Sequence, residues 1–104
     1  MDTPINCGVI GLGVGHQHAL EYQSNPLTKL IGLVDLNKEK VASTAAETGS
    51  AIFKTANEIL THKEINLVSI ASFDQFHTEQ ILIGLKNKKH LFVEKPICLN
   101  RNEL

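Results

Sequence analysis

Short apolar runs alternate along the chain with longer segments in which apolar residues recur at helical spacing. Five runs rich in Ile, Val and Leu have the length and composition of buried strands. The predicted strands cover residues 5–10, 29–34, 51–53, 65–71 and 90–93, and the predicted helices cover residues 15–24, 38–48, 55–60 and 77–87. Residues 72–76 are predicted to form a loop.

Residue types at the helix ends support these bounds. Asn37 is the predicted N-cap of the second helix, and Gly49 follows its last residue. Thr55 and Glu58 have the spacing of a capping box, which predicts the start of the third helix.

The apolar positions of two helices predict which sides face the sheet. They are Val41, Ala42, Ala45 and Ala46 in the second helix, and Ile81, Leu82 and Leu85 in the fourth.

Strands and helices alternate throughout, which is typical of the α/β class. Right-handed crossovers between such strands give a doubly wound parallel sheet. We predict the strand order 3-2-1-4-5, with residues 1–104 forming one domain.

Composition narrows the possible functions. The chain has 104 residues, 42% of them hydrophobic, and a formal net charge of −1. This balance argues against a nucleic-acid partner or a membrane surface. The apolar runs are far shorter than the roughly 20 residues that span a bilayer, and the first residues carry no basic region of a secretory signal. Cys7 and Cys98 have no metal-ligand spacing, so we expect reduced thiols, no metal site and a cytoplasmic protein.

Three glycines directly after the first strand form the main candidate site. Gly11 permits a tight turn, and Gly13 has no side chain to keep a pyrophosphate away from the backbone. The first N–H groups of the next helix favour an anion there. The pattern G-x-G-x-x-G would place its third glycine at position 16, but the chain has Gly15 and His16, so a local difference is expected.

Asp35 ends the second strand, 22 residues beyond Gly13. A carboxylate at this place can accept hydrogen bonds from the adenosine ribose, and it repels a 2′-phosphate. The other interpretation is a capping residue of the second helix. No arginine follows in residues 36–38, although Lys38 leaves an opening for NADP. The sequence therefore favours NAD.

The histidines and a late charged pair give weaker signals. His16 and His18 are two residues apart, so they point away from each other on a helix and do not share a metal easily. His62 and His90 are predicted to be structural, whereas His77 either approaches a ligand at the sheet edge or only bonds its neighbours. The run 94–96, Glu-Lys-Pro, is either a surface ion pair or part of a ligand site.

Taken together, these motifs resemble the Gfo/Idh/MocA family, named for glucose–fructose oxidoreductase, inositol dehydrogenase and a rhizopine-catabolism protein. The matching segments are residues 8–13 (Gly-Val-Ile-Gly-Leu-Gly), 18–19 (His-Ala), 33–35 (Leu-Val-Asp), 69–72 (Ser-Ile-Ala-Ser) with Asp74 and His77, and 84–96, which ends in Glu-Lys-Pro. The resemblance covers residues 5–99.

The resemblance implies a Rossmann domain that binds NAD or NADP, of which Asp35 makes NADP the less expected, in an oxidoreductase acting on a sugar, cyclitol or related hydroxyl compound. It implies that Lys95 lies near the nicotinamide and orients the reacting alcohol, and that the general base belongs to a C-terminal α/β domain. The expected cofactor-binding residues are Gly11, Leu12, Gly13, Val14, Gly15, His16, Asp35, Leu36, Ala71, Ser72, His77, Glu94 and Lys95. In the family the loop at 72–74 more often has the form Thr-Pro-Asn, whereas this chain has Ser-Phe-Asp.

Asn100 and Glu103 have the spacing that opens a helix, yet the sequence stops at Leu104. We therefore expect a chain that is truncated before the C-terminal domain and that binds cofactor without turnover. The full-length protein is expected to be a homo-oligomer with a small-molecule substrate. The alternative is a non-catalytic dinucleotide-binding or regulatory protein of the same fold.

Overall fold

Residues 4–71 and 74–93 are described by a computed structural model of the chain, without the side chains of residues 74–77. The strands are β1 (Ile5–Ile10), β2 (Thr28–Val34), β3 (Ala51–Ile52), β4 (Leu67–Ile70) and β5 (His90–Val93), and the helices are α1 (Gly15–Ser24), α2 (Lys38–Thr48), α3 (Ala56–Thr61) and α4 (Asp74–Lys86). None of these helices is long and apolar enough to cross a membrane.

The five strands form one parallel sheet in the order β3-β2-β1-β4-β5, so the predicted topology is confirmed. β1 is central, with Cys7 opposite Leu30 on one side and Leu67 on the other. The chain order reverses between β1 and β4, and this is where open α/β sheets form a ligand crevice at the carboxyl ends of their strands.

Helices cover both faces of the sheet. Val9 points into a core cluster with residues of α1 and α2, whereas its neighbour Ile10 points into a cluster with residues of α3. Successive side chains of β1 are thus buried on opposite faces of the sheet. This explains why the second half of β1 is apolar throughout, as expected for a strand covered on both faces.

Four of the nine predicted elements have the expected bounds, and the other five differ from them by a few residues. β2 begins at Thr28, β4 is confined to Leu67–Ile70, and α3 runs to Thr61. Phe53 lies just beyond β3, but its N–H still donates to the Leu33 carbonyl at 2.7 Å. α4 begins at Asp74, so residues 74–76 were wrongly predicted as loop; neither glycine nor proline interrupts the helix there.

The predicted inward faces of two helices are wrong in part. In α2, Ala42 and Ala46 are exposed, and the sheet side is built from Val41, Thr44 and Ala45. Thr48 donates its hydroxyl to the Thr44 carbonyl, so the Thr48 hydroxyl is hydrogen-bonded within the helix. Exposure of a small alanine side chain costs little hydrophobic free energy. Burial of the larger, branched side chains therefore determines which side of α2 faces the sheet.

In α4, Leu82 and Leu85 are 62% and 59% exposed, so only Ile81 of the three predicted residues packs against the core. Gly84 explains the rotation of this helix. A Cβ at Gly84 would lie 2.8 Å from a Leu91 methyl, so the glycine side of α4 is the one that touches β5.

The predicted helix caps are confirmed. The Asn37 side chain accepts from the N–H groups of Glu39 and Lys40, and Gly49 is left-handed at the other end of α2. Thr55 and Glu58 form the capping box of α3.

The end of α4 carries a feature that the sequence did not indicate. Lys88 has φ 61° and donates its N–H to the Leu85 carbonyl, while Lys89 donates to the Gly84 carbonyl. These two bonds make a Schellman motif with lysine at the position that usually holds glycine. The Lys89 side chain is buried, and its Nζ donates to the carbonyls of His62 and Ile65.

Candidate functional site

The glycine turn begins with a backbone conformation that needs glycine. Gly11 has φ 88°, which L side chains rarely adopt, and its N–H donates to the Val34 carbonyl at 2.9 Å. This bond fastens the turn to the end of β2 beside β1. The turn is therefore held at the carboxyl edge of the sheet.

Gly13 leaves open space above the turn. A Cβ built there meets no heavy atom within 4 Å, so this glycine is not required by packing inside the chain. The missing side chain gives a ligand direct access to the backbone at this point. The residue types and the space fit a pyrophosphate.

The packing of Gly15 explains why the chain departs from the G-x-G-x-x-G pattern. It is the first residue of α1, and a Cβ there would lie 2.9 Å from Val9 Cγ1 and 3.4 Å from Ala71 Cβ. Gly15 thus permits the close helix–strand packing that the third glycine provides in that pattern, one residue early. Val14 takes the N-cap position with helical φ and ψ, so the turn is shorter by one residue.

Val14 offers no side-chain hydrogen bond to the start of α1, and the first turn holds no acidic residue. The first N–H groups of a helix have no partners within it, and the helix dipole places partial positive charge beside them. An anion near the glycine turn is therefore favoured by its surroundings.

Asp35 connects this turn to the start of α2. Its Oδ2 accepts the Leu12 N–H at 2.5 Å, and its Oδ1 accepts the Asn37 N–H at 2.7 Å. Asn37, not Asp35, is the N-cap of α2. The interpretation of Asp35 as the capping residue is therefore wrong, and its carboxylate faces the glycine turn.

A groove of about 440 Å³ lies between the turn and α2. Its lining consists of Leu12, Gly13, His16, Glu39, Lys40, Ser43 and Thr44. His16 Nε2 is 2.9 Å from Glu47 Oε1, which joins α1 to α2 across 31 residues of sequence. Sequence reasoning missed Glu47 because no local pattern connects it with His16.

The other described histidines lie apart from the groove. The His18 ring packs edge-on against Tyr22 and Phe92, so His16 and His18 diverge as predicted. His62 tilts against Phe53 and accepts the Glu64 N–H, which confirms its structural role. Among the side chains that the structure describes, which exclude those of residues 74–77, no three from His, Cys, Asp or Glu form a metal-binding group.

The fold brings nine of the predicted cofactor-binding residues to one edge of the sheet. They are Gly11, Leu12, Gly13, Val14, Gly15, His16, Asp35, Leu36 and Ala71. Leu36 and Val14 are 82% and 56% exposed there, although both are apolar. Ser72, Glu94, Lys95 and the side chain of His77 lie outside the described residues, as does Cys98.

Comparison with known proteins gives consistent matches. A family model described as "Oxidoreductase family, NAD-binding Rossmann fold" matches residues 5–104. The scyllo-inositol 2-dehydrogenase (NAD(+)) of Bacillus subtilis strain 168 is 31% identical over 106 residues, which cover 99% of this chain and 31% of that protein.

Solved structures with the same fold include two with bound cofactor. The scyllo-inositol dehydrogenase of Lactobacillus casei with bound NAD(H) and scyllo-inositol has a TM-score of 0.83 and 31% identity, and the match covers 94% of this chain and 30% of that one. Biliverdin reductase from Synechocystis sp. PCC 6803 with biliverdin and NADP+ has a TM-score of 0.86 at 24% identity, covering 93% and 31% of the two chains. The present chain thus spans about a third of the length of these proteins.

Proposed function

Because the chain belongs to the Gfo/Idh/MocA oxidoreductase family, through its NAD(P)-binding Rossmann domain, we propose that it is the cofactor domain of a dehydrogenase. The substrate class is a sugar, cyclitol or related hydroxyl compound, as in the scyllo-inositol dehydrogenases that it resembles. The observation that supports this most is the position of Asp35. Its carboxylate accepts a hydrogen bond from the Leu12 N–H, next to the open space over Gly13.

Each part of the turn has a distinct task in this proposal. The backbone at Gly13 and the N-terminal amides of α1 hold the pyrophosphate, since neither a side chain nor a side-chain cap competes with it. Asp35 accepts hydrogen bonds from the adenosine ribose with the lone pairs that Leu12 and Asn37 leave open. Exposed Val14 and Leu36 supply apolar contacts at the rim.

We propose NAD as the preferred cofactor. The Asp35 carboxylate would repel a phosphate on the ribose 2′ oxygen, and residues 36–38 contain no arginine that could pair with it. Lys38 is the nearest cation in sequence. The Lactobacillus casei relative with bound NAD(H) is also the more similar in sequence of the two cofactor complexes, at 31% identity against 24%.

The bound nicotinamide supplies a hydride acceptor for the alcohol carbon. Lys95 is proposed, from the family resemblance, to orient the reacting hydroxyl. An ordinary lysine with a pKa near 10.4 is a poor base at neutral pH, so the proton must go to another group. We place that group in a further domain, because the relatives are about three times longer. The 104-residue chain is then expected to bind cofactor without turnover, and the longer protein to work as a cytoplasmic homo-oligomer.

Cofactor titration tests this proposal. NADH should bind the chain more tightly than NADPH by about 1–3 kcal/mol, measured by fluorescence or calorimetry. Gly13→Val should abolish NADH binding while the circular dichroism spectrum stays unchanged, because its methyl groups enter only the open space. Ala51→Val, on exposed β3, is the matched control and should bind normally.

Tighter NADPH binding would contradict the choice of NAD. Undiminished NADH binding by folded Gly13→Val would place the cofactor elsewhere. A longer protein that binds NADH but oxidises no polyol or sugar in a substrate panel would favour the non-catalytic alternative.

A further inference from the structure

The hydrogen bond between His16 and Glu47 lies at the side of the proposed cofactor groove. His16 shares the lining of that groove with Leu12 and Gly13, the residues of the phosphate turn. Glu47 lies one turn beyond Ser43 and Thr44, the last groove residues on α2. The imidazole is thus held next to the place where the cofactor anion is proposed to bind.

Folding alone does not account for this pair. The two side chains are 39% and 49% exposed, and ion pairs of such exposure contribute little to stability. The contact does fix the ring: with Nε2 engaged by Glu47, Nδ1 is the nitrogen left for a second hydrogen bond. Neutral imidazole with its proton on Nε2 can only accept at Nδ1, whereas imidazolium donates from both nitrogens.

We propose that Glu47 is a positioning residue that holds His16 as an imidazolium when the cofactor binds, so that binding takes up a proton. This inference rests on the proposed function, because the anion is the cofactor pyrophosphate. Nε2–H donates to Glu47, Nδ1–H donates to a phosphate oxygen, and the added proton comes from solvent. The pyrophosphate stays ionised near neutral pH, where histidine is the side chain that ordinarily titrates.

The charged groups near His16 come from α2 and from the end of β2. α2 contributes the carboxylates of Glu39 and Glu47 and one opposing cation, Lys40. The end of β2 contributes Asp35, and the first turn of α1 contributes no acidic residue. Before binding, Lys40 opposes a second positive charge in the groove. The incoming pyrophosphate offsets Lys40 and shifts the balance toward imidazolium.

Calorimetry of NADH binding at pH 7 in buffers of different ionisation enthalpy measures the number of protons taken up on binding. The wild-type chain should take up a substantial fraction of one proton. His16→Gln should take up none and should bind roughly tenfold to a hundredfold more weakly, the loss of one hydrogen bond to a charged group. His90→Gln, an exposed histidine on β5, is the control and should keep the full uptake.

The pH dependence of the NADH dissociation constant tests Glu47 separately. Wild-type affinity should fall as pH rises from about 6 to 8, because the imidazolium is lost. Glu47→Gln keeps an acceptor but removes the charge, so the fall should move to lower pH. A contact that only holds two helices together would leave this profile in place. Glu21→Gln, exposed on α1, is the matched control.

The outcomes separate the two proposals. A wild-type chain that does not bind NADH overturns both of them. Binding without proton uptake, or with uptake that persists in His16→Gln, overturns this inference and leaves the proposed function standing. An unchanged pH profile in Glu47→Gln overturns the role given to Glu47.

Discussion

The Asp35 carboxylate accepts the backbone N–H of Leu12 at 2.5 Å, and this bond ties the end of β2 to the glycine turn. Leu12 is 2% exposed, so its amide would have little water to bond if the carboxylate were removed. Asp35 is therefore held in position by the fold itself, before any ligand arrives. In the proposed function, the same carboxylate links the stability of the turn to the choice of cofactor.

Asp35→Asn should change both properties. The amide keeps only one accepting oxygen for two backbone donors, so we expect the free energy of unfolding to fall by about 1–3 kcal/mol. Loss of the negative charge should reduce the preference for NADH over NADPH by about tenfold. Urea unfolding and paired cofactor titrations measure these effects, with exposed Glu64→Gln as the control. An unchanged preference would remove Asp35 from the ribose site.

Gly15→Ala should destabilise the chain by about 1–3 kcal/mol, because its Cβ would lie 2.9 Å from a methyl of fully buried Val9. Gly13→Ala is the matched control, since its Cβ meets nothing, and it should change stability by no more than about 0.5 kcal/mol. Chemical denaturation of both variants makes the comparison. Equal stabilities would show that α1 and β1 separate easily.

Lys88→Gly should stabilise the chain by about 1 kcal/mol, because glycine adopts φ 61° without the steric cost that a side chain pays. Lys86→Gly, inside the last turn of α4, should instead destabilise it by about the same amount. Thermal unfolding should show a raised midpoint temperature for Lys88→Gly and a lowered one for Lys86→Gly. Destabilisation by Lys88→Gly would mean that the lysine side chain makes a contact of its own.

Alkaline pH should weaken the fold through Cys7. Burial raises the pKa of its thiol from 9.0 to about 11. A raised pKa favours the neutral thiol in the folded chain, so its contribution to stability is complete below pH 9.0 and is lost as pH rises toward about 11. Burial also raises the pKa of Tyr22, which acts in the same direction.

The free energy of unfolding should therefore decline over that interval, measured in urea at several pH values. Cys7→Ala should be less stable at neutral pH and should show a shallower decline. An equal decline in both chains would assign the pH dependence to Tyr22 or to other groups.

The strand order and the helix caps could be predicted because each rests on local signals. Short apolar runs, a capping box and a glycine after α2 each act within a few residues. The inward faces could not be fully predicted. α4 has more apolar residues than one face can hold, and its rotation was decided by Gly84 against Leu91, a contact between different elements.

The candidate site shows the same division. Gly11, Gly13 and Asp35 follow from the motif and its spacing, and they lie together at the sheet edge. The function of Gly15 depended on the Val9 side chain beneath it, which spacing alone does not reveal. The contact of Glu47 with His16 joins residues 31 apart in the chain, so only the packing of α1 on α2 discloses it.

The central position of β1 also affects the order in which the chain can fold during its synthesis. Cys7 pairs with Leu67, so the second partner of β1 leaves the ribosome 60 residues later. At about 5–20 residues per second, this delay lasts roughly 3–12 seconds. During that time the backbone amides on one edge of β1 have no strand partner, and its apolar side chains are not yet covered on both faces. β1 is thus enclosed only after β4 has been made, and the nascent chain has an interval in which a chaperone can bind it.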